Sequence, residues 1–357
     1  MPAGRSRIDR LLASLSRNRV DLFLCVRLTD IRYLTGFTGS DAVLIVSADG
    51  ATFVTDGRYD EQSRREVRDA EIVVTNRKWA DVSGRIRRAR PRRVGFEPRH
   101  LTVETFRRLS RGREDRWTAL RDPVGRLRMT KDESEIRAME GAAAAASGAL
   151  LAVLSGGIAG RTESAVAADL EREMKMQGAE EPSFRSIVAY GPRSAMPHAA
   201  PTGGTIGRDG TVVLDFGARR GGYCSDETVT LLPRRPARAV RRMFDAVRRA
   251  QEAGIAAVLP GVPCRDVDAR VRESLDRSGY LKYFVHSTGH GVGLDVHESP
   301  SLSWMSRDRL SEGMVVTVEP GVYVSGLGGI RIEDTVAVRP GRAERITWLP
   351  KDRPPFA

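Results

Sequence analysis

Four carboxylates sit where a folded chain tolerates them least, inside apolar β runs of the second half of the sequence. The run Thr211-Val-Val-Leu-Asp-Phe216 places Asp215 among branched residues. Tyr223-Cys-Ser-Asp-Glu-Thr-Val-Thr-Leu-Leu232 follows a Gly221-Gly222 turn. The two-residue side-chain period of a strand puts its Asp226, Thr228 and Thr230 on one face. Met314-Val-Val-Thr-Val-Glu319 sets Glu319 on the face of Val315 and Thr317. In Gly329-Ile-Arg-Ile-Glu-Asp-Thr-Val-Ala-Val338, Arg331, Glu333 and Thr335 take the side opposite Ile330, Ile332, Val336 and Val338. A carboxylate buried in a sheet is costly unless it is paired or binds a metal. An edge strand facing water explains one such acid, but not four in two hairpins. Converging carboxylates repel one another unless cations lie between them, and an oxygen-rich set suits a hard or borderline divalent ion.

The order of elements around these acids repeats. Helical stretches over 131–154 and 162–177 lead to strands over 211–217 and 223–232. Helical stretches over 237–258 and 265–278 lead to strands over 314–324 and 330–338. Gly178 and Gly279 follow the second helix of each pair, where helices commonly stop. The pattern predicts two helix-helix-hairpin halves packed around one shared sheet. Segments 179–210 and 280–313 fall outside it, and long irregular segments in compact domains are often functional. Residues 1–125 read as a separate α/β unit, with β runs Val20–Cys25, Ala42–Val46, Ala51–Val54 and Glu71–Val74 and a helical Tyr59–Val67. The boundary is placed at 125/126, because Pro123 and Gly125 precede Thr130-Lys-Asp-Glu133, a capping-box pattern. A length of 357 residues agrees with two domains.

The chain has five histidines, and three lie in His286-Ser-Thr-Gly-His290-Gly-Val-Gly-Leu-Asp-Val-His297. Clustering in a glycine-rich segment of a histidine-poor chain points to a site. Glycines beside His290 are expected to let the backbone approach a ligand. The spacing Gly289-x-Gly291-x-Gly293 is no dinucleotide fingerprint. Four acids and one imidazole are enough for two metal ions sharing carboxylates, and such a pair activates water for hydrolysis. The residues themselves lead to a dinuclear metallohydrolase and leave the cleaved bond open.

Composition narrows the partners. The net charge of +12 comes almost wholly from dispersed arginine, without a helix-turn-helix, zinc finger or aromatic-basic signature, so no nucleic-acid partner is expected. No apolar stretch approaches the roughly 20 residues that cross a bilayer, and the N-terminus lacks a signal-peptide core. Neither a membrane partner nor export is therefore expected, and a cytoplasmic location follows. Cys25, Cys224 and Cys264 are too few and too far apart for a disulfide framework and read as buried thiols.

At these residues the sequence resembles the creatinase-like, pita-bread metallopeptidases, which include methionine aminopeptidase, aminopeptidase P and prolidase. The resemblance is carried by Val213-Leu-Asp-Phe-Gly217, Ser225-Asp-Glu-Thr228, His290-Gly-Val-Gly293, Val318-Glu-Pro-Gly321 and Ile330-Arg-Ile-Glu-Asp334. Tyr33-Leu-Thr-Gly-Phe-Thr-Gly-Ser40 and Thr55-Asp-Gly-Arg-Tyr59 resemble the smaller domain of the proline-specific branch. The resemblance implies an α/β N-terminal domain plus an α+β pita-bread domain with pseudo-twofold halves. It implies Asp215, Asp226, His290, Glu319 and Glu333 as ligands of two divalent ions, with Mn²⁺ preferred and Co²⁺ or Zn²⁺ as alternatives. Glu319 would serve as general base and proton carrier, His198 would contact substrate or help proton transfer, His286 would line the substrate pocket, His297 would stabilise the oxyanion, and Arg331 would hold the bridging carboxylates. His100 is left as a bystander. The substrate implied is a peptide or dipeptide with proline at the second position, and a homodimer is expected.

One departure stands out: Glu227-Thr228-Val229-Thr230 replaces an apolar residue followed by Thr-Arg-Thr, which removes a buried cation. The intact ligand set argues against an amidinohydrolase or a noncatalytic binding module. The reading leans to aminopeptidase P, with prolidase as the alternative. A dipeptidase needs a cation for the substrate carboxylate, and Arg307 and Arg309 are the candidates.

Overall fold

The computed structural model describes residues 6–351. The chain divides between Arg128 and Met129 into two compact units. The first is built on a six-stranded sheet ordered Glu71–Val74, Gly50–Thr55, Val43–Ser47, Leu22–Cys25, Val94–Phe96, Trp117–Ala119. Its central three strands pair antiparallel and its outer pairs run parallel, so it is mixed. Helix Lys78–Ala89 buries Val82 and Ile86 in a core shared with Leu22, Leu24, Val54 and Val94. The expected boundary at 125/126 falls inside helix Pro123–Arg128. This helix packs on Arg7–Ser16 and Leu28–Thr35, and its Arg128 donates to buried Asp30 at 2.8 Å.

The second unit carries the two repeated halves. Helix Glu133–Ser155 begins two residues later than the Thr130 pattern suggests. Asp132 is the cap, accepting from Ser134 and Glu135 N–H groups, while the Glu135 side chain accepts from the Asp132 N–H. Thr130 instead bridges Met314. Its alanine-rich run makes this helix, by length and hydropathy alone, long and apolar enough to cross a membrane, contrary to the sequence expectation. Here Ala146, Leu150 and Val153 join Val166 and Leu170 of helix Glu163–Met176 in one core, as expected of a central helix in a folded domain. Helices Arg238–Ala257 and Cys264–Arg277 repeat the arrangement. Gly178 and Gly279 terminate the second helix of each pair in left-handed conformation, at φ +90° and +76°.

The hairpins differ from expectation in one respect that positions the site. The strands expected over 223–232, 314–324 and 330–338 are each interrupted, and the interruptions lie at Asp226, Glu319 and Glu333. Tyr223–Cys224 and Glu227–Leu231 flank the first, Val315–Val318 and Gly321–Val324 the second, and Gly328–Arg331 and Asp334–Arg339 the third. Register carries straight through. Asp215 pairs with Thr228 and Arg219 with Cys224, while Val318 pairs with Asp334 and Gly321 with Arg331. The hairpins meet along a seam where the Glu333 N–H donates to Thr228 O at 3.2 Å. Along the same seam Thr335 Oγ1 donates to Asp226 O at 2.7 Å.

Candidate active site

His198, Asp215, Asp226, His286, His290, His297, Glu319, Arg331 and Glu333 all line one cavity of about 630 Å³. His100 lies in the first unit, 3.4 Å from Glu97. The cavity is within the usual size range of small-molecule sites. Asp215 enters from strand Val212–Phe216 and Asp226 from the break across the hairpin. Glu319 and Glu333 come from the facing breaks of the second hairpin.

His290 sits on the short strand Gly289–Gly291, and its Nε2 lies 3.3 Å from Glu319 Oε1 and 3.6 Å from Asp226 Oδ2. The glycines around it act differently from the sequence expectation. A Cβ at Gly289 would collide with Thr317 O, and one at Gly291 with Ser299 O. They admit neighbouring backbone rather than a ligand, and so bring His290 against strand Val315–Val318. The His290 N–H donates to Thr317 Oγ1 at 3.0 Å, which seats the imidazole beside Glu319.

The electrostatics of the cluster are those of a cation site. Burial, then the charges of Glu333, Asp215 and Glu319, raise the Asp226 carboxyl well above its ordinary pKa. Burial, then Glu319 and Asp215, do the same to Glu333, and burial pushes Glu319 up to about 8. Burial lowers His290 to about 4, so its imidazole is neutral and able to donate a lone pair at neutral pH. Asp226, His290 and Glu333 each offer a ligand atom within 4.8 Å of the others. Asp215 Oδ1 is buried with no hydrogen-bond partner, although Asp215 Oδ2 pairs with Arg331. Buried carboxylate oxygens are seldom left unsatisfied. This donor set fits one or more divalent cations.

Arg331 spans the back of the cluster, donating to Tyr323 Oη at 2.8 Å and to Pro197 O at 3.0 Å. Its Nε donates to Thr228 Oγ1 at 3.2 Å, and Thr228 donates onward to Glu333 Oε2 at 2.7 Å. It thereby orients two carboxylates and the segment before His198. Tyr323, which the sequence reading missed, also bonds His286 Nε2 at 3.0 Å. The signal was present, since Tyr323 continues the two-residue period of Thr317 and Glu319. Burial lowers His286 to about 4 and also lowers His297, whose ring lies 4.3 Å from that of His290.

Two further acids were missed. Glu163, buried in helix Glu163–Met176, accepts from the Tyr190 N–H (2.9 Å), Arg193 Nε (3.1 Å) and the Thr202 N–H (3.0 Å), and so ties down the segment bearing His198. Asp268, buried in helix Cys264–Arg277, accepts from the Thr288 N–H (3.1 Å) and Thr288 Oγ1 (2.8 Å) between His286 and His290. An acid inside the apolar stripe of a helix was the readable cue in both cases. Neither Arg307 nor Arg309 lines the cavity, and Arg309 donates to Gly261 O at 2.9 Å.

The comparisons agree with this geometry. Residues 137–340 match the model of metallopeptidase family M24, and residues 7–130 match the creatinase/prolidase N-terminal domain. The chain is 33% identical to a Xaa-Pro dipeptidase of Pyrococcus furiosus over 96% of its own length and 98% of that protein's. A Xaa-Pro dipeptidase structure from Bacillus anthracis superposes with TM-score 0.93 at 36% identity, covering 97% of this chain and 98% of that one. An X-Pro aminopeptidase structure from Thermotoga maritima superposes with TM-score 0.89 at 33% identity, covering 97% and 99%. With its pita-bread fold, its creatinase-type N-terminal domain and its cluster of acids and histidine, the chain belongs to metallopeptidase family M24 and is a hydrolase.

Proposed function

We propose that the protein is a prolidase, a two-metal dipeptidase cleaving Xaa-Pro. The observation that carries the dipeptide assignment is Arg185. The cavity is lined by two cations, Arg185 and Arg331. Arg331 is committed to Asp215, Tyr323 and Pro197, whereas Arg185 is exposed and has no acidic partner among the described residues. A dipeptide brings its own carboxylate next to the metals, and a guanidinium is the group that binds it best. The relatives named Xaa-Pro dipeptidase support the same reading over the aminopeptidase P type.

Asp215, Asp226, His290, Glu319 and Glu333 would hold two divalent ions, with Mn²⁺ preferred by this oxygen-rich set. Such ions, when bound, supply an activated water and polarise the scissile carbonyl. Glu319, which lies 3.3 Å from His290 and lines the same cavity, would accept and return the proton. His297 and His198 line the same cavity, where His297 would stabilise the developing oxyanion and His198 would contact substrate or help proton transfer. A cytoplasmic homodimer completes the reading. The three buried free cysteines suit a reducing compartment, and sedimentation would check the dimer.

The likeness to the Thermotoga X-Pro aminopeptidase favours a second reading, aminopeptidase P. The deciding experiment strips the enzyme with chelator, restores Mn²⁺ and offers Ala-Pro beside a longer peptide beginning Ala-Pro. Preference for the dipeptide is expected. Alanine released chiefly from the longer peptide would establish aminopeptidase P instead.

A further inference from the structure

Behind the carboxylates of the cavity lies a second acidic pair. The seam between the halves runs antiparallel. The Glu333 N–H meets Thr228 O at 3.2 Å, the Arg331 N–H meets Thr230 Oγ1 at 3.1 Å, and Thr335 Oγ1 meets Asp226 O at 2.7 Å. This register sets Glu227 directly opposite Asp334. Each is the chain neighbour of a cavity carboxylate, Asp226 or Glu333, and strand alternation turns it to the other face. Both are 1% exposed. Like charges directly opposite one another destabilise a strand pair, and burial strengthens the repulsion.

Lys351 lies between them. Its Nζ pairs with Glu227 Oε1 and stands 3.6 Å from Asp334 Oδ1, and its side chain is 9% exposed. Neutral donors complete the acids' shells: Ser147 Oγ to Glu227 at 2.8 Å, Gln251 Nε2 to Asp334 at 2.7 Å and Thr347 Oγ1 to Asp334 at 2.7 Å. Arg345 Nε reaches Asp334 at 3.1 Å from a half-exposed position. Glu227 has no cation other than Lys351 within ion-pair distance among the described residues. Val229, meanwhile, is buried in an apolar cluster with Leu214 and Phe216 and brings no charge to the seam.

We propose that Lys351 is a positioning residue for the metal site. By neutralising Glu227 and Asp334 together it closes the seam, and closure sets the separation of Asp226 and Glu333 on the cavity side. The inference rests on the metal assignment above. Partners behind metal ligands commonly change affinity by 10–100-fold when removed, without themselves touching the ion.

The test titrates chelator-stripped protein with Mn²⁺ by calorimetry, with thermal unfolding followed in parallel. Lys351→Met is expected to bind at least about tenfold more weakly, and Lys351→Arg to stay near wild type. Glu227→Gln/Lys351→Met, which removes the mutual repulsion along with the cation, is expected to recover most of the affinity. Should Lys351→Met not fold, this double variant carries the test, and a tenfold loss in it would overturn the role assigned to charge neutralisation. A lower unfolding temperature in Lys351→Met with an unchanged Mn²⁺ isotherm would also overturn the proposal, because Lys351 would then only hold the fold. Wild-type protein that takes up no Mn²⁺ would sink the metal assignment and this inference with it.

Discussion

Glu319 stands directly across its hairpin from Glu333. Val318 pairs with Asp334 and Gly321 with Arg331, and counting inward along the ladder brings these two acids face to face. Both strands are broken at this point. A cross-strand pair of buried carboxylates is a repulsive arrangement in an empty sheet and an attractive one around a cation. The same hairpin places Arg331 two residues from Glu333, so that a fixed positive charge and the acids share one face.

Asp226, which offers a ligand atom within 4.8 Å of those of His290 and Glu333, is the most informative of the proposed ligands to alter. Asp226→Asn keeps the volume and removes one charge from a crowded acidic cluster. Hydrolysis of Ala-Pro by metal-loaded protein is expected to fall at least about a hundredfold, with circular dichroism unchanged. Near-wild-type turnover would defeat the proposed site.

Raised carboxyl pKa values predict a definite pH dependence for the metal-free protein. Glu319 moves from 4.5 to about 8, and Asp226 and Glu333 shift in the same direction. The folded state therefore holds protons that the unfolded chain has already released, and stability falls as pH rises through that window. Denaturation of chelator-treated protein at several pH values between about 6.5 and 8 should show this slope. Because the ligands must be deprotonated to bind, Mn²⁺ addition should release protons to an indicator dye and affinity should rise with pH. Below about pH 6.5 the buried histidines, lowered toward 4, contribute the opposite slope, so the test lies above it: a metal-free protein that gains stability between about pH 6.5 and 8 would contradict the burial of these acids.

Arg185→Ala separates binding of the substrate carboxylate from chemistry. Charge-assisted hydrogen bonds contribute roughly 1.5–3 kcal/mol, so KM for Ala-Pro should rise about tenfold or more. Turnover at saturation should change little, and Ala-Pro amide, which lacks the carboxylate, should be hardly affected. Equal losses on dipeptide and amide would remove Arg185 from that role.

Asp268→Asn tests the tie that holds the histidine segment. The change weakens acceptance from Thr288 and leaves Arg272, which also donates to His286 O at 2.9 Å, without its ion pair. A destabilisation of about 1–3 kcal/mol is expected, together with weaker metal binding through displaced His290. Calorimetric unfolding and a Mn²⁺ titration would measure the two effects separately.

Gly289→Ala probes the backbone contact behind His290. Its Cβ would press on Thr317 O, which belongs to a strand that cannot yield without moving Glu319. Overpacking of this kind costs about 1–3 kcal/mol. A fully stable, fully active variant would show that the strands have more room than the structure describes.

The amino-acid sequence by itself determined the α/β unit, the two helix-helix-hairpin halves and the acids and histidines that share one cavity. Each of these depends on local order: apolar period, glycine stops, and which strand face an acid occupies. Tertiary structure decided what depends on partners distant in sequence. Thr130 looked like a cap but pairs with Met314, so Asp132 caps the helix instead. The glycines flanking His290 answer to Thr317 and Ser299, which no local pattern names. Arg309 was a candidate for substrate binding until the fold turned it onto Gly261, while Arg185, unremarked in sequence, reached the cavity. Lys351 and Glu227 lie far apart along the chain, yet their pairing across the seam, with Arg345 on Asp334, explains how two buried acids tolerate one another. Side-chain charge is written in the sequence, but its energy depends on neighbours and burial, and the fold alone supplies those.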